Sequence, residues 1–289
     1  GGGQGRAVGA GPPPDGRAYK GSYNRPLPDI GQNGVFGSEF ALLYWLEENG
    51  YDVSYISGID ATTDPASVSN HKVYISSGHD EYWNQAQWNN VMAARKAGQN
   101  QIFMSGNEVF WRTRFENSID GSNTPNRTLT TYKMTKLYDT SPVDGIPDPT
   151  GQWTGTWMDA HGLGSGAAPE DQLTGTLFSV NANQYSPMTF SAAYSKMRLW
   201  RNTSVASLIS GSTSTPYGLL GYEWDSDYPD STRPPGMIDM SSTTLNVDQL
   251  RLDYGNSYGN GQATHSLVEF RDQTSHSLIF GTATVQWSW

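Results

Sequence analysis

Lys72-Val73-Tyr74-Ile75-Ser76-Ser77-Gly78-His79-Asp80-Glu81-Tyr82-Trp83 and Gln101-Ile102-Phe103-Met104-Ser105-Gly106-Asn107-Glu108-Val109-Phe110-Trp111 are two versions of one pattern. Each begins as a compact apolar run the length of a buried strand and breaks at Ser-Gly into a polar loop that ends on Trp. Asn84 to Ala97 between them is helix-length, and Gly98 closes it. Strand, loop, helix, strand, loop predicts two neighbouring parallel strands with both loops at their carboxyl ends. Open α/β sheets bind ligands at that edge. His79, Glu108 and Asn107 are therefore the catalytic candidates. His79 and Glu108 offer proton acceptors, and Asn107, after Gly106, is also a natural turn residue.

Working outward, Ser38 to Asn49 reads as a helix that Ser38 starts and Gly50 ends. It is apolar nearly all round, which predicts deep burial. Tyr51-Asp52-Val53-Ser54-Tyr55-Ile56 reads as a strand, completing a small parallel βαβ core with the strands near 72 and 101. From about residue 112 the character changes to turns and short β-type runs, at 176–180, 197–200, 219–222, 266–270, 277–280 and 283–287. The expected class is α/β, with a parallel core continued by an antiparallel, β-rich half in one domain over residues 17–289. Residues 1–16 are Gly, Ala and Pro with little else, an arm or linker that cannot bury enough surface to order itself. Such an arm is expected to lie on another copy, giving a homo-oligomer joined head-to-tail, which forms a filament if it does not close. The linker-like start and the end at Trp289 read as a portion of a longer polypeptide.

Composition narrows the function. A net charge of −10 disfavours nucleic acid and anionic membranes as partners, and no apolar run is long enough to span a bilayer. The absence of cysteine excludes disulfides, thiolate metal sites and a cysteine nucleophile. With 16% charged residues, ten Trp and sixteen Tyr, the composition leans towards a secreted, extracellular protein.

SGHDEYW at 77–83, SGNEVFW at 105–111, Trp45-Leu46-Glu47 before Gly50-Tyr51-Asp52-Val53, Trp153-Thr154-Gly155-Thr156-Trp157, Pro169-Glu170 and Gly221-Tyr222-Glu223-Trp224 stand in a fixed order. In these anchors the chain resembles the carboxyl-terminal domain of the N,N-dimethylformamidase large (beta) subunit. The resemblance implies a glutamine-amidotransferase-like fold and hydrolysis of small linear amides at a mononuclear iron held by two tyrosines and a glutamate. Aligned residue by residue, those ligands fall on Tyr82, Glu170 and Phe40. Phenylalanine cannot ligate a metal, so one position of the set is lost, with Tyr44 a substitute one helical turn on.

The residues also carry plainer readings. Tyr82 reads equally as a core aromatic, His79 and Asp80 as caps of the following helix, and Glu108 as the partner of Arg112 or Arg114. Glu170 reads equally as a solvated loop carboxylate. The alternative to an amide hydrolase is a non-catalytic extracellular structural protein that self-assembles or contacts glycans.

Overall fold

The computed structural model describes residues 18–26, 35–134, 148–163, 166–183, 185–255 and 257–289. The arm expected at 1–16 lies outside the described residues. Along the chain, β1 (Lys20–Ser22), α1 (Phe40–Glu48), α2 (Gly58–Thr63) and α3 (Pro65–Ser69) precede β2 (Val73–Gly78) and β3 (Tyr82–Asn84). Next come α4 (Gln85–Lys96), β4 (Asn100–Ser105), β5 (Trp111–Glu116) and β6 (Thr128–Thr130). The second half contributes α5 (Ala160–Leu163), α6 (Asp171–Thr174), β7 (Leu177–Asn181), β8 (Thr189–Ser191) and β9 (Ser212–Ser214). β10 (Glu223–Ser226), β11 (Ile238–Asp239), β12 (Thr243–Arg251), β13 (Tyr258–His265), β14 (Val268–Arg271) and β15 (Leu278–Gly281) complete it.

The two opening runs behave as their sequence predicts. β2 and β4 pair in parallel from Val73↔Asn100 to Gly78↔Ser105, with α4 between them in sequence. Asn84, rather than His79 or Asp80, caps α4. Its side-chain oxygen accepts from the Ala86 and Gln87 N–H groups at 2.9 and 3.0 Å, a contribution of about 1 kcal/mol. Gly98, at φ 103°, ends the segment. Val91 and Ala94 of α4 pack into a core with Phe103, Leu173 and Ile279, where Trp88 stacks on Trp157 at 4.8 Å.

The sheets around that pair depart from a parallel α/β core. The sheet containing β2 and β4 has the order β11-β14-β15-β4-β2, with β15 parallel to β4 but β14 antiparallel to β15. A second sheet runs β1-β6-β5-β3, and β7, β10, β12 and β13 close into a small barrel. Strand exceeds helix, 30% against 22%, so the protein is β-rich with mixed sheets, and the expected glutamine-amidotransferase-like parallel core is not supported. Residues 51–56 form no strand. Most of that stretch is exposed, and its polar side chains tie down locally, Tyr55 to Glu47 and Ser54 to His71. β2 consequently remains an edge.

Helix α1 is not deeply buried. Only Leu42 and Leu46 face inward, while Phe40 is 42% and Tyr44 55% exposed. The Phe36, Phe40 and Tyr44 rings line up on the outer face at 6.2 and 5.9 Å spacing. The turn leading into the helix is what meets β2: a Cβ on Gly78 would stand 2.6 Å from Glu39 Cγ. Of the later runs, 197–200 turns into a 3-10 segment, and 219–222 and 283–287 make only isolated bridges through Leu220 and Thr284. The β12–β13 pair was not anticipated, because Asn, Asp and Gln interrupt its apolar alternation.

One buried cation ties these layers together. Arg95, 2% exposed, donates to Gln101 Oε1 at 2.9 Å, to the Gln172 carbonyl at 2.8 Å and to the Leu173 carbonyl, with its guanidinium over the Phe270 ring. Burial lowers its pKa to about 10, still well above neutrality, so the charge persists. Arg95→Met would keep the bulk and leave three acceptors unpaired. The expected loss is about 3 kcal/mol, read from the midpoint of urea unfolding.

Candidate functional site

Beyond the ends of β2 and β4 the two polar loops stay side by side. The Val109 N–H donates to the Asp80 carbonyl and the Trp111 N–H to the Glu81 carbonyl, both at 2.9 Å, after which β3 and β5 continue in parallel. The second loop is strained: Asn107 sits at φ 52° and the β-branched Val109 at φ 58°. A left-handed valine is a genuine outlier, and such strain persists only where surrounding contacts impose it. Those contacts come from β10. A Cβ on Gly106 would stand 2.6 Å from the Glu223 carbonyl oxygen, so the loop is pressed directly against that strand.

The crowding brings together four polar side chains. His79 Nε2 lies 3.2 Å from Glu81 Oε2, and its Nδ1 lies 3.2 Å from Glu223 Oε2. The second contact is within ion-pair range but off the line of a hydrogen bond. Asn107 Nδ2 bridges the same two carboxylates, donating to Glu81 Oε1 at 3.1 Å and Glu223 Oε2 at 3.3 Å. Burial alone would lower the His79 pKa, but Glu81 and Glu223 together hold it above its ordinary value. Burial likewise opposes charge on Glu81, and His79 and Lys133 outweigh it, leaving the carboxyl below its ordinary value. The imidazolium and the Glu81 carboxylate stabilise each other.

Glu81, Asn107, Glu223 and Lys133 open into a cavity of about 210 Å³ whose other walls include Phe110, Trp111, Phe178 and Tyr258. That is smaller than the ~300 Å³ at which drug-sized pockets begin, so it suits a ligand of few heavy atoms. Lys133 donates to the Tyr82 hydroxyl at 2.7 Å and lies 5.0 Å from both the Tyr82 and Trp111 ring centroids. A larger open groove beside Asn183, Asn246, Asp248 and Asn260 gathers no comparable set of charges.

Behind the cavity lies a group of buried acids. Glu108 is 1% exposed, and among the described residues neither carboxyl oxygen has a well-formed hydrogen-bond partner; the Ser76 hydroxyl beside it donates to Asp80 at 2.9 Å. Burial first, then Asp80, pushes Glu108 well above its ordinary value, and burial raises Asp80 too. Burial carries Asp225 up to about 7 and Glu170 up to about 8. The expected pairing of Glu108 with an arginine does not occur. Arg114 pairs with Asp148 and Glu116, and Arg112 lies over the Trp157 ring.

The structure thus joins His79 with Asn107 through two glutamates, and sets Glu108 behind the cavity. Among the described residues Tyr82 and Glu170 share no hydrogen-bond partner: the Tyr82 hydroxyl faces Lys133 and Glu81, while Glu170 Oε1 accepts from the Phe178 N–H at 3.3 Å and no described residue bonds Oε2. These donors do not fit the iron implied by resemblance. Lys133, donating to the Tyr82 hydroxyl, sets an ammonium where it opposes a second cation, and Phe40 has no donor atom. Among the described residues no three His, Asp or Glu side chains converge to hold a metal.

Glu81, Lys133, Glu223 and Asp225 are what sequence reasoning overlooked as site residues. Glu81 stood in the first loop and Glu223 in a quoted anchor, but nothing local distinguished them from other acids. A sequence model of the family described as N,N-dimethylformamidase beta subunit-like, C-terminal, matches residues 4–289. No curated protein matches the chain.

The buried acids set the sign of a pH dependence. A carboxyl whose folded-state pKa is raised binds more protons folded than unfolded, so its contribution is present below its unfolded value and lost as pH rises. His79, also raised, acts in the same direction. Stability is therefore expected to fall from about pH 5 to pH 8, the range over which Asp225 and Glu170 titrate. Glu170→Gln should reduce that fall by on the order of 2 kcal/mol, measured by chemical denaturation across the range.

Proposed function

The chain belongs to the N,N-dimethylformamidase beta subunit-like, C-terminal family, and on that premise we propose that it hydrolyses the C–N bond of small linear amides in the cavity between Glu81 and Glu223. The observation that carries this reading is the His79 imidazole set between those two carboxylates, 3.2 Å from each. Amide hydrolysis needs a donor for the carbonyl oxygen, a base for the attacking water and a proton for the leaving nitrogen. The Lys133 ammonium on the cavity wall serves as the donor. Glu223 accepts the proton of water as its oxygen bonds to the carbonyl carbon, then delivers that proton to the nitrogen as the C–N bond breaks. The products are an amine and a carboxylic acid.

The other residues fix this geometry. His79 keeps the two glutamates from repelling each other and orients the Glu223 oxygens, while Asn107 holds the same pair from a second side. The aromatic walls exclude water and leave room for small alkyl substituents on nitrogen. A low dielectric there strengthens each charged contact.

Glu223→Gln should keep the size of the side chain and lose the base. With N,N-dimethylformamide or formamide as substrate, kcat is expected to fall by about 10²–10⁴-fold with little change in KM. Formate release measured against time checks this; a Glu223→Gln enzyme of ordinary kcat contradicts the assignment.

A further inference from the structure

The strand that supplies Glu223 also supplies a second carboxylate two residues on. Alternation along a strand points residues i and i+2 to the same side, and both side chains reach the same target. Glu223 Oε2 accepts from the Asn107 side-chain amide at 3.3 Å, while Asp225 Oδ1 accepts from the Asn107 backbone N–H at 2.7 Å. β10 therefore grips Asn107 at both ends.

We propose that Asp225 is a positioning residue for the amide-hydrolysing site, holding Asn107 in its left-handed conformation so that the side-chain amide spans Glu81 and Glu223. The proposal rests on the reading of that cavity as the active site. Three features of the loop support it. Asn107 at φ 52° and Val109 at φ 58° occupy backbone regions that their side chains disfavour, so an external restraint must hold them. Gly106 has no room for a Cβ against the Glu223 carbonyl, so the loop can reach Asp225 only by lying flat on β10. Asp225 is 2% exposed, and among the described residues the Thr176 hydroxyl, at 3.4 Å, is its one further hydrogen-bonding side chain, so the Asn107 N–H at 2.7 Å is the shorter bond.

Location favours the same role. Asp225 does not line the cavity, so it acts on the reaction through Asn107. Between Trp224 and Asp225 the pairing of β10 with β7 slips register, so that Trp224 opposes Val180 and Asp225 opposes Phe178. The extra residue is Ser179 of β7, so β10 keeps its alternation through Glu223 and Asp225. Burial pushes the Asp225 carboxyl up to about 7, and an oxygen of the protonated acid still accepts from the Asn107 N–H. The requirement is an acceptor at this point, which asparagine also provides.

The test uses the full chain as Asp225→Ala, Asp225→Asn and, as control, Asp171→Asn, a buried carboxyl bonded to Thr232 and not to Asn107. Two quantities are read: hydrogen exchange of the Asn107 backbone amide, and kcat and KM with N,N-dimethylformamide. Asp225→Ala is expected to speed Asn107 exchange by at least about 10²-fold and to lower kcat about 100-fold with KM nearly unchanged. Asp225→Asn should restore both to within about threefold, and Asp171→Asn should alter neither by more than that. Unchanged Asn107 exchange in Asp225→Ala, or equal losses in all three variants, overturns the proposal. If Asp225→Ala fails to fold, the wild type decides: an Asn107 amide that exchanges as fast as an exposed loop overturns it, and a protected one restored in Asp225→Asn upholds it. Should the wild type hydrolyse no amide, the functional reading fails while the exchange measurement still judges Asp225.

Discussion

The His79 imidazole set between the Glu81 and Glu223 side chains is the interaction on which the site depends. Glu81 and Glu223 come from segments more than a hundred residues apart in sequence, and both are nearly out of water. Two buried carboxylates this close would repel each other and drive one to take up a proton. His79 removes that conflict by lying 3.2 Å from each. Because Glu81 belongs to the first loop and Glu223 to β10, the same contact fastens the β2–β4 strand pair to the barrel strand. Packing and chemistry are here one arrangement.

That arrangement is costly elsewhere. Pressing the second loop onto β10 leaves Asn107 and Val109 in strained backbone conformations and strands Glu108 and Asp80 where charge is poorly solvated. The core has to supply the compensation. It does so with the Trp88–Trp157 stack, with Arg95 bridging α4, α6 and β14, and with the strand pairing that inserts β15 beside β4. Several acids are buried there with carboxyls held above their ordinary values, and in so poorly solvated a surround the groups facing the cavity interact strongly.

What the sequence made legible was whatever local pattern determines. The Ser-Gly breaks at 77–78 and 105–106, the helix between them and the parallel pairing of β2 with β4 all follow from runs shorter than fifteen residues. His79 and Asn107 stood out as candidates because they sit in those breaks. Glu223, Asp225 and Lys133 were not, because each reaches the site only through long-range pairing: β10 with β7, and the turn at Lys133 with Tyr82. The strand expected at 51–56 does not form, and the helix read over 38–49 as deeply buried has only one face, Leu42 and Leu46, packed inward. Burial depends on neighbours, and neighbours are not written in a helix's own residues.

The charge state of His79 tests this account most directly. Nitrogen-15 spectra of the imidazole ring, recorded as a function of pH on the folded protein, report the protonation of Nδ1 and Nε2 separately. Both nitrogens are expected to be protonated through neutrality, with a midpoint above the ordinary 6.5 that drops when Glu81 or Glu223 is replaced by Gln. A neutral ring with a midpoint below 6.5, indifferent to both substitutions, would contradict it.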